Sequence, residues 1–524
     1  MLKQESARRE VTFRVKPTSR RRGRSNSRKR HAGARSWSTG LKVAGDGAGV
    51  IVHAGVVLPR LLADRVDLTT GLSQAVARKG FTPTHDRGRL LVDAACALAA
   101  GAKGLTDVEA IAAQLALLQR QGGRGVSDTT IWRALGELFD QIGVNGLPRR
   151  RLAEALARTR TAAWQRTAAR HDGLPAVRVA GRPLLHEKAT PQGAASAAAV
   201  TVIRLDATLI EAASNKARAA GTYRGGWGFH PLTAWCSNIG DNLAVMLRPG
   251  NAGSFTAADH LKVLDAAIAQ VPAPYRRDLL VTVDGAGASH ALITHLTGLN
   301  TAAEHGGRGR RVEYSIGWPV DERTRMAIDL APQVAWSPAI CTDGDLDQDA
   351  QVIDLTGLLR ASMHGELLPN WPADLRIIGR RVPRVPGEQA ELGQDPNWRY
   401  GAFATNTRIG QIQWLDARHR TQAHVEDSIK ELKNTGGRLL PMHDWAHNSA
   451  WILLAAIAVS LISWLRAAVL TGDLASAVIP TLRYRLFSAP ARLVAHARTR
   501  LLRFPSTWPY SAAITAAWAL LHPG

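Results

Sequence analysis

A chain of 524 residues is longer than one ordinary hydrophobic core accommodates, so two or three domains are expected, and 45% hydrophobic residues suffice to fold them. Lysine and arginine number 66 against 43 acidic residues. The resulting net charge of +23 is far from that of a typical metabolic enzyme, which is close to neutral. A polyanionic partner is predicted, and composition alone leaves nucleic acid and an anionic membrane surface both open.

The first 40 residues are predicted to form a disordered, arginine-rich arm. Met1–Arg35 carries thirteen Lys/Arg and two Glu, which gives it +11 of the net charge. Its Arg, Ser and Gly residues cannot bury enough surface to offset chain entropy. Two interpretations stay open: an arm that binds DNA without sequence preference, or a merely solvated tail.

Residues 47–165 are predicted to be a helical DNA-binding domain, because apolar residues recur there at helical spacing. Thr106, with Glu109 three residues later, predicts one helix start through a capping box. Ser127 or Asp128 predicts another. Short helices joined by tight turns are typical of a helix-turn-helix reader, and a plain helical bundle explains the pattern equally well.

Strands are predicted to begin near residue 200. Asp206 interrupts the β-branched run TVIRLDATLI, and two more strands follow around a turn at Ile239 and Gly240. A helix then leads to the apolar run LLVTVD, which ends at Asp284. Three strands, a helix, a strand and further helices are the element order of a ribonuclease-H-like fold, so residues 200–300 are assigned to the first part of such an α/β core.

Residues 309–416 are rich in strand patterns and loops with Pro and Gly, which predicts a β-rich insertion domain interrupting the core. Residues 417–524 are expected to supply the second part of the core, with a helix carrying Glu426 and the C-terminal helices. About sixteen apolar residues run from Ala450 to Leu465. A membrane span needs about 20, so a buried core helix is favoured and no membrane partner is expected.

Asp206, Asp284 and Glu426 occupy the first strand, the fourth strand and a late helix, where nucleases of this fold carry their carboxylates. Cleavage of phosphodiesters by two Mg²⁺ ions requires such hard oxygen ligands. Each acid alone also has an ordinary interpretation: a strand-end hydrogen bond for Asp206, a strand-end acid before glycine for Asp284, and a solvent-facing Glu/Lys pair for Glu426. The conjunction of the three places favours a catalytic and metal-binding triad.

The chain resembles the DDE transposases of the insertion-sequence 1380 family. The resemblance lies in blocks such as LDATLIEAASNKARAAGTYRGGWGFHPL, VTVDGAGASHAL and RHRTQAHVEDSIKELKNTG, and extends from about Ala48 to the C-terminus. It implies cut-and-paste transposition by a ribonuclease-H-like core with an inserted β-rich domain. It also implies two Mg²⁺ ions as cofactors, for which Mn²⁺ can substitute, and terminal inverted repeats as the substrate.

A related group, insertion sequence 4, carries the signature Y-x2-R-x3-E-x6-K, whose Arg and Lys hold phosphates near the cleaved end. The matching positions are His419, Gln422, Glu426 and Lys433, so the Glu and Lys match while the Tyr and Arg do not. The residues predicted to contact DNA are Lys433 and Lys430 on the helical stripe of Glu426, the signature positions His419 and Gln422, and Arg420, which lies near the unmatched positions. Trp336 and Trp398 lie where related enzymes stack a flipped base, with core packing as the favoured alternative.

The expected partners are double-stranded DNA, as element ends and target, and a second copy of the chain in a synaptic complex. The expected location is the bacterial cytoplasm, associated with the nucleoid, and the three widely spaced cysteines fit a reducing compartment. The alternative function is a catalytically decayed or domesticated transposase that binds DNA without cutting it.

Overall fold

The computed structural model describes residues 48–118, 125–189, 195–253, 256–285, 288–302, 309–361, 368, 370–385, 387, 395–496 and 499–522. The predicted arm, residues 1–40, lies outside the described residues.

The helices are α1 (Val57–Arg65), α2 (Leu68–Val76), α3 (Arg87–Ala100), α4 (Leu105–Ala116), α5 (Asp128–Phe139), α6 (Arg150–His171), α7 (Ala257–Gln270), α8 (His290–Leu299), α9 (Glu322–Leu330), α10 (Thr356–Arg360), α11 (Ile412–Arg420), α12 (Val425–Leu432), α13 (Trp445–Ala468), α14 (Asp473–Ser476), α15 (Ile479–Leu482) and α16 (Ser511–Leu521).

The strands are β1 (Val50–Ile51), β2 (Arg178–Val179), β3 (Arg182–Pro183), β4 (Leu185–Ala189), β5 (Ala195–Ala199), β6 (Thr201–Ala207), β7 (Ile210–Glu211), β8 (Ala220–Gly221), β9 (Trp227–Phe229), β10 (Leu232–Cys236), β11 (Asp241–Met246), β12 (Asp278–Val283), β13 (Arg311–Trp318), β14 (Ser337–Ile340), β15 (Leu346–Asp354), β16 (Arg376–Pro383), β17 (Trp398–Thr405), β18 (Ala491–His496) and β19 (Thr499–Arg503).

The N-terminal part of the described chain is helical, as its periodicity predicts, with α3 packed against α2, α4 and α5. Ser127 caps α5 by accepting a hydrogen bond from the backbone N–H of Thr130, so that predicted start is confirmed. The predicted start at Thr106 is wrong, because α4 begins at Leu105 with Gly104 as its N-cap. The Asp107 carboxylate in the first turn accepts the Lys103 N–H (2.9 Å) and takes over the capping role.

A mixed sheet forms the centre of the fold, in the order β11-β10-β6-β12-β13. Strand β6 runs antiparallel to β10 and parallel to β12, and β12 runs parallel to β13. The first strand of this part of the chain therefore lies in the middle of the sheet, with the fourth strand beside it. Strands β6 and β12 are buried along most of their length, which explains the apolar, β-branched runs seen in the sequence.

The strands of residues 309–416 continue the same sheet in the order β13-β17-β16-β15-β14, with antiparallel pairing throughout. We call strands β14–β17 the β-extension. The sequence predicted one insertion domain from residue 309. In the structure β13, at the start of that range, pairs directly with the core strand β12, and the β-extension shares its sheet with the core.

Helix α13 is the apolar run that the sequence analysis weighed against a membrane span. By length and composition Trp445–Ala468 is apolar enough to cross a membrane, yet 89% of its most apolar window is buried inside the protein. It packs against α3, α5, α6 and the edge strand β11. Its apolar surface is therefore covered by the protein itself, as a core helix requires.

Candidate active site

Asp206 and Asp284 are brought side by side by the parallel pairing of β6 and β12. Leu205 is opposite Val283 in the register, so the next residue of each strand is an aspartate. Neighbouring strands are about 4.8 Å apart, and residues level with each other point to the same face of the sheet. The prediction that the two aspartates lie on adjacent strands of one sheet is confirmed.

Glu426 is the second residue of α12, which packs against β6. Val425, Ile429 and Leu432 are buried and Glu426 is exposed, as the helical stripe predicts. The apolar stripe fixes the roll of the helix, and the carboxylate therefore lies at the boundary between the sheet and solvent.

The three acids interact through their charges. The pKa of Asp206 is raised to about 7, first by burial and then by the negative charges of Asp284 and Glu426. A hydrogen bond from the Ala207 N–H (2.8 Å) and the positive charge of Lys433 oppose this increase. Three neighbouring carboxylates repel each other when ionised. Their combined negative charge therefore favours binding of a cation.

The cleft beside Asp206 and Glu426 has a volume of about 770 Å³. Its cationic lining residues are Arg224, Lys430, Lys433 and Arg438. Lys430 is exposed and forms a surface ion pair with Asp427 (3.2 Å). Burial and the neighbouring Arg224 and Arg438 lower the pKa of Lys433. A cleft lined by both acidic and basic groups suits a phosphate backbone brought to bound cations.

The carboxylate oxygens of Asp206, Asp284 and Glu426 are the donor set that Mg²⁺ and Mn²⁺ prefer. Within the described part of the chain, no group of three or more His, Cys, Asp or Glu side chains is drawn together closely enough to hold a metal ion. The three carboxylates fit a divalent cation by the chemistry of their oxygens.

Two residues predicted to contact DNA have partners within the protein. His419 is partly buried, stacks on Phe403 (centroids 4.4 Å apart) and shares a hydrogen bond with Ser315 (2.9 Å). Burial and the adjacent Arg418, Arg204 and Arg420 lower its pKa to about 3, so the ring is neutral.

Gln422 is buried beneath the same helix junction, where it bonds to strands β6 and β12. The side chains of His419 and Gln422 thus have partners within the protein, and DNA contact by either residue stays a prediction. The signature spacing placed both residues near the carboxylates but gave no indication that their side chains point into the sheet.

Arg420 has internal partners too. Its Nε donates to Asp416 (3.0 Å), which Arg380 of β16 also contacts (2.6 Å), and it donates to the carbonyl of Ile340 in β14. Asp416 is only 1% exposed, and its ion pair with Arg380 joins α11 to the β-extension. The structure thus gives Arg420 a structural role.

Trp336 and Trp398 lie on either side of the Arg381 guanidinium, 4.2 and 4.5 Å from the two ring centroids. Trp336 is 7% exposed. Both rings are engaged by the β-extension itself, which favours the packing alternative over base stacking.

The sequence analysis missed several residues that line the cleft, among them Glu211, Tyr223, Arg224 and Arg438. Tyr223 is 70% exposed, and the Arg224 guanidinium lies 5.5 Å from its ring centroid. Gly225 and Gly226 follow with positive φ angles, in the turn between β8 and β9. The sequence Tyr223-Arg224-Gly225-Gly226 could have indicated these residues. An aromatic residue and an arginine before two glycines are typical of a turn that presents side chains to a ligand.

The central mixed sheet has Asp206 and Asp284 on adjacent strands and Glu426 beside Asp206 in the cleft, which is the arrangement of an α/β protein of the DDE class. A family model, transposase DDE domain group 1, matches residues 36–523. The chain therefore belongs to this family of DDE transposases.

Among solved structures the chain is similar to the piggyBac transposase, seen by cryo-EM in a synaptic complex with hairpin DNA. The identity is 9%, the match covers 83% of this chain and 80% of that chain, and the TM-score is 0.41. No curated protein matches the chain.

Proposed function

We propose that this DDE transposase cleaves DNA at the terminal inverted repeats of an insertion sequence and transfers the strands to a target by two-metal phosphodiester chemistry. The observation that carries the proposal is the shared site: Asp206 and Asp284 end two adjacent parallel strands, and Glu426 interacts electrostatically with Asp206. We further propose that the core is ribonuclease-H-like, that the narrower family is insertion sequence 1380, and that the protein acts in the bacterial cytoplasm.

In this mechanism Asp206, Asp284 and Glu426 would hold two Mg²⁺ ions, for which Mn²⁺ can substitute. The bound ions would stabilise the attacking and leaving oxygens of the phosphodiester. Lys430, Lys433 and the arginines of the cleft bind and orient the DNA backbone, since they line the same cleft as Asp206 and Glu426. Synapsis of two element ends would require at least two copies of the chain.

The first prediction concerns the three acids. Asp206→Asn, Asp284→Asn and Glu426→Gln should each abolish cleavage of a labelled element end in Mg²⁺ while leaving end binding nearly unchanged. Neutral amides preserve shape but hold Mg²⁺ poorly. The assay is strand nicking, with gel-shift binding measured in parallel.

Asp427→Asn is the matched control, because Asp427 follows Glu426 on the same helix and is exposed. It should cleave at the wild-type rate. Near-normal cleavage by any of the three variants would remove that residue from the site. A wild-type protein that binds ends but does not cut them would support the alternative of a decayed or domesticated transposase.

A further inference from the structure

A row of polar side chains crosses the sheet directly below the carboxylates. Arg204, Thr282 and Ser315 are register partners on β6, β12 and β13. Arg204 and Thr282 precede Asp206 and Asp284 by two residues, so each lies on the same face of its strand as the acid. All three are at most 1% exposed. Polar groups at this depth need hydrogen-bond partners.

The segment His419–Gln422 supplies those partners. Arg204 donates to the hydroxyl of Thr421 (3.0 Å), and Ser315 shares a hydrogen bond with His419 (2.9 Å). Thr282 donates to the side-chain oxygen of Gln422. One short segment, between the end of α11 and the start of α12, thus contacts all three strands.

Gln422 has a special place in this segment, since it bonds to both strands that carry an aspartate. Its Nε2 donates to the carbonyl of Leu205 (3.0 Å), the residue before Asp206, while its Oε1 accepts from Thr282, two residues before Asp284. Gln422 also lies four residues, or about one helical turn, before Glu426. It is only 7% exposed, so little solvent reaches it to replace these bonds.

From these contacts we infer that Gln422 is a positioning residue that fixes the spacing of the three carboxylates and thereby sets the affinity of the site for divalent cations. This inference rests on the proposed function. It assigns a role within the protein to a position where the chain departs from the insertion-sequence 4 signature: Gln422 acts on metal binding through the strands and not on DNA through a phosphate.

The test measures cation binding apart from activity. Mn²⁺ is titrated calorimetrically into the full-length protein without DNA, for the wild type, Gln422→Met and Thr282→Val. Gln422→Met keeps the length of the side chain and removes both hydrogen bonds, whereas Thr282→Val removes one of them from the other side. Loss of a group that supports metal ligands typically weakens metal affinity about 10- to 100-fold, and we expect at least about a tenfold loss for Gln422→Met.

Gln270→Met is the matched control. Gln270 is also 7% exposed, donates to a backbone carbonyl (Ala153, 2.9 Å) and accepts from Arg160, but it lies on α7. It should lower thermal stability and leave Mn²⁺ affinity unchanged. A second measurement is the Mn²⁺ dependence of cleavage, in which Gln422→Met should need more cation for half-maximal rate and recover most of the rate at saturation.

Wild-type Mn²⁺ affinity in a folded Gln422→Met protein would overturn the inference while leaving the proposed function standing. An equal loss of affinity in Gln270→Met would also overturn it, because the effect would then be general destabilisation. If Gln422→Met does not fold, Thr282→Val decides by the same criterion. A wild-type protein that neither binds Mn²⁺ nor cleaves would remove the proposed function and the inference together.

Discussion

Asp206 occupies a position where burial and two neighbouring carboxylates disfavour its ionised form, which raises its pKa to about 7. The same carboxyl in an unfolded chain ionises near pH 4. Between about pH 4 and pH 7 the folded protein therefore binds a proton that the unfolded chain has lost. By linkage, the contribution of this group to the free energy of unfolding is fully present below about pH 4 and is lost as the pH rises to about 7.

Asp206→Asn should remove this pH dependence. Without metal, the variant should gain stability relative to the wild type at pH 8, and the gain should be smaller or absent at pH 5. Urea unfolding midpoints in the presence of a chelator measure the difference at each pH. Asp427→Asn, an exposed change nearby, should show no such trend. A wild-type to Asp206→Asn difference that is equal at both pH values would contradict the assigned pKa.

Gly317 of β13 shows how closely the site is packed. A Cβ atom at this position would lie 2.4 Å from the backbone nitrogen of Gly285 and 2.9 Å from the carbonyl carbon of Asp284. Such distances are far inside van der Waals contact, so any side chain must displace the backbone that carries Asp284. Glycine is required here for close approach.

Gly317→Ala should accordingly slow cleavage by about 100-fold, because a displacement near 1 Å at a reacting group has an effect of that size. Gly401→Ala on β17 is the control, since a Cβ atom there meets nothing within 4 Å. Single-turnover cleavage rates at saturating Mg²⁺ make the comparison. Equal rates for the two variants would mean that the Asp284 turn tolerates displacement.

At the scale of elements, the edge strand β11 is tied to two helices by a single carboxylate. The Oδ2 atom of Asp241 accepts hydrogen bonds from Arg160 (2.9 Å), Trp164 (2.8 Å) and Trp464 (2.9 Å). Asp241 is completely buried, and the side chain of Arg160 is 5% exposed. Hydrogen bonds to Asp241 thereby join helices α6 and α13 to the edge strand of the sheet.

Removing this carboxylate should be costly. Asp241→Ala leaves the Arg160 charge buried without its partner, and we expect a loss of about 3–5 kcal/mol in the free energy of unfolding. Asp140→Ala breaks an exposed pair with Arg78 and should cost about 1 kcal/mol or less. Urea denaturation of both variants tests the contrast. A small loss for Asp241→Ala would show that water or a rearranged side chain replaces the carboxylate.

Local sequence patterns predicted the helices and strands better than the contacts between them. The runs around Asp206 and Asp284 and the stripe of Val425, Ile429 and Leu432 specify strands and a helix through periodicity, and the site followed from their order. The pairing of β13 with β12 depends on contacts between distant segments, which no local pattern encodes. The internal bonds of His419 and Gln422 could not be predicted for the same reason, because their polar partners, Ser315 and Thr282, lie more than 100 residues away.

At the scale of the whole molecule, charge is unevenly distributed along the chain. Met1–Arg35 holds +11 of the total +23. A segment of this composition contacts phosphates rather than base edges. Deleting it should weaken DNA binding about equally across sequences and flatten the dependence of affinity on salt, because fewer counterions are released. Binding titrations at several salt concentrations would show this, and an unchanged slope would exclude the arm from DNA contact.

The pairing of β17 with β13 has a further consequence for how such a chain can change. The backbone leaves the core sheet after Trp318 and returns opposite it at Ala402, so the excursion begins and ends on neighbouring strands. An inserted segment whose two ends are paired can be lengthened, shortened or exchanged with little entropic cost to the core. Evolution, or a protein engineer, could graft a different excursion at this junction while Asp206 and Asp284 stay where the parallel strands hold them.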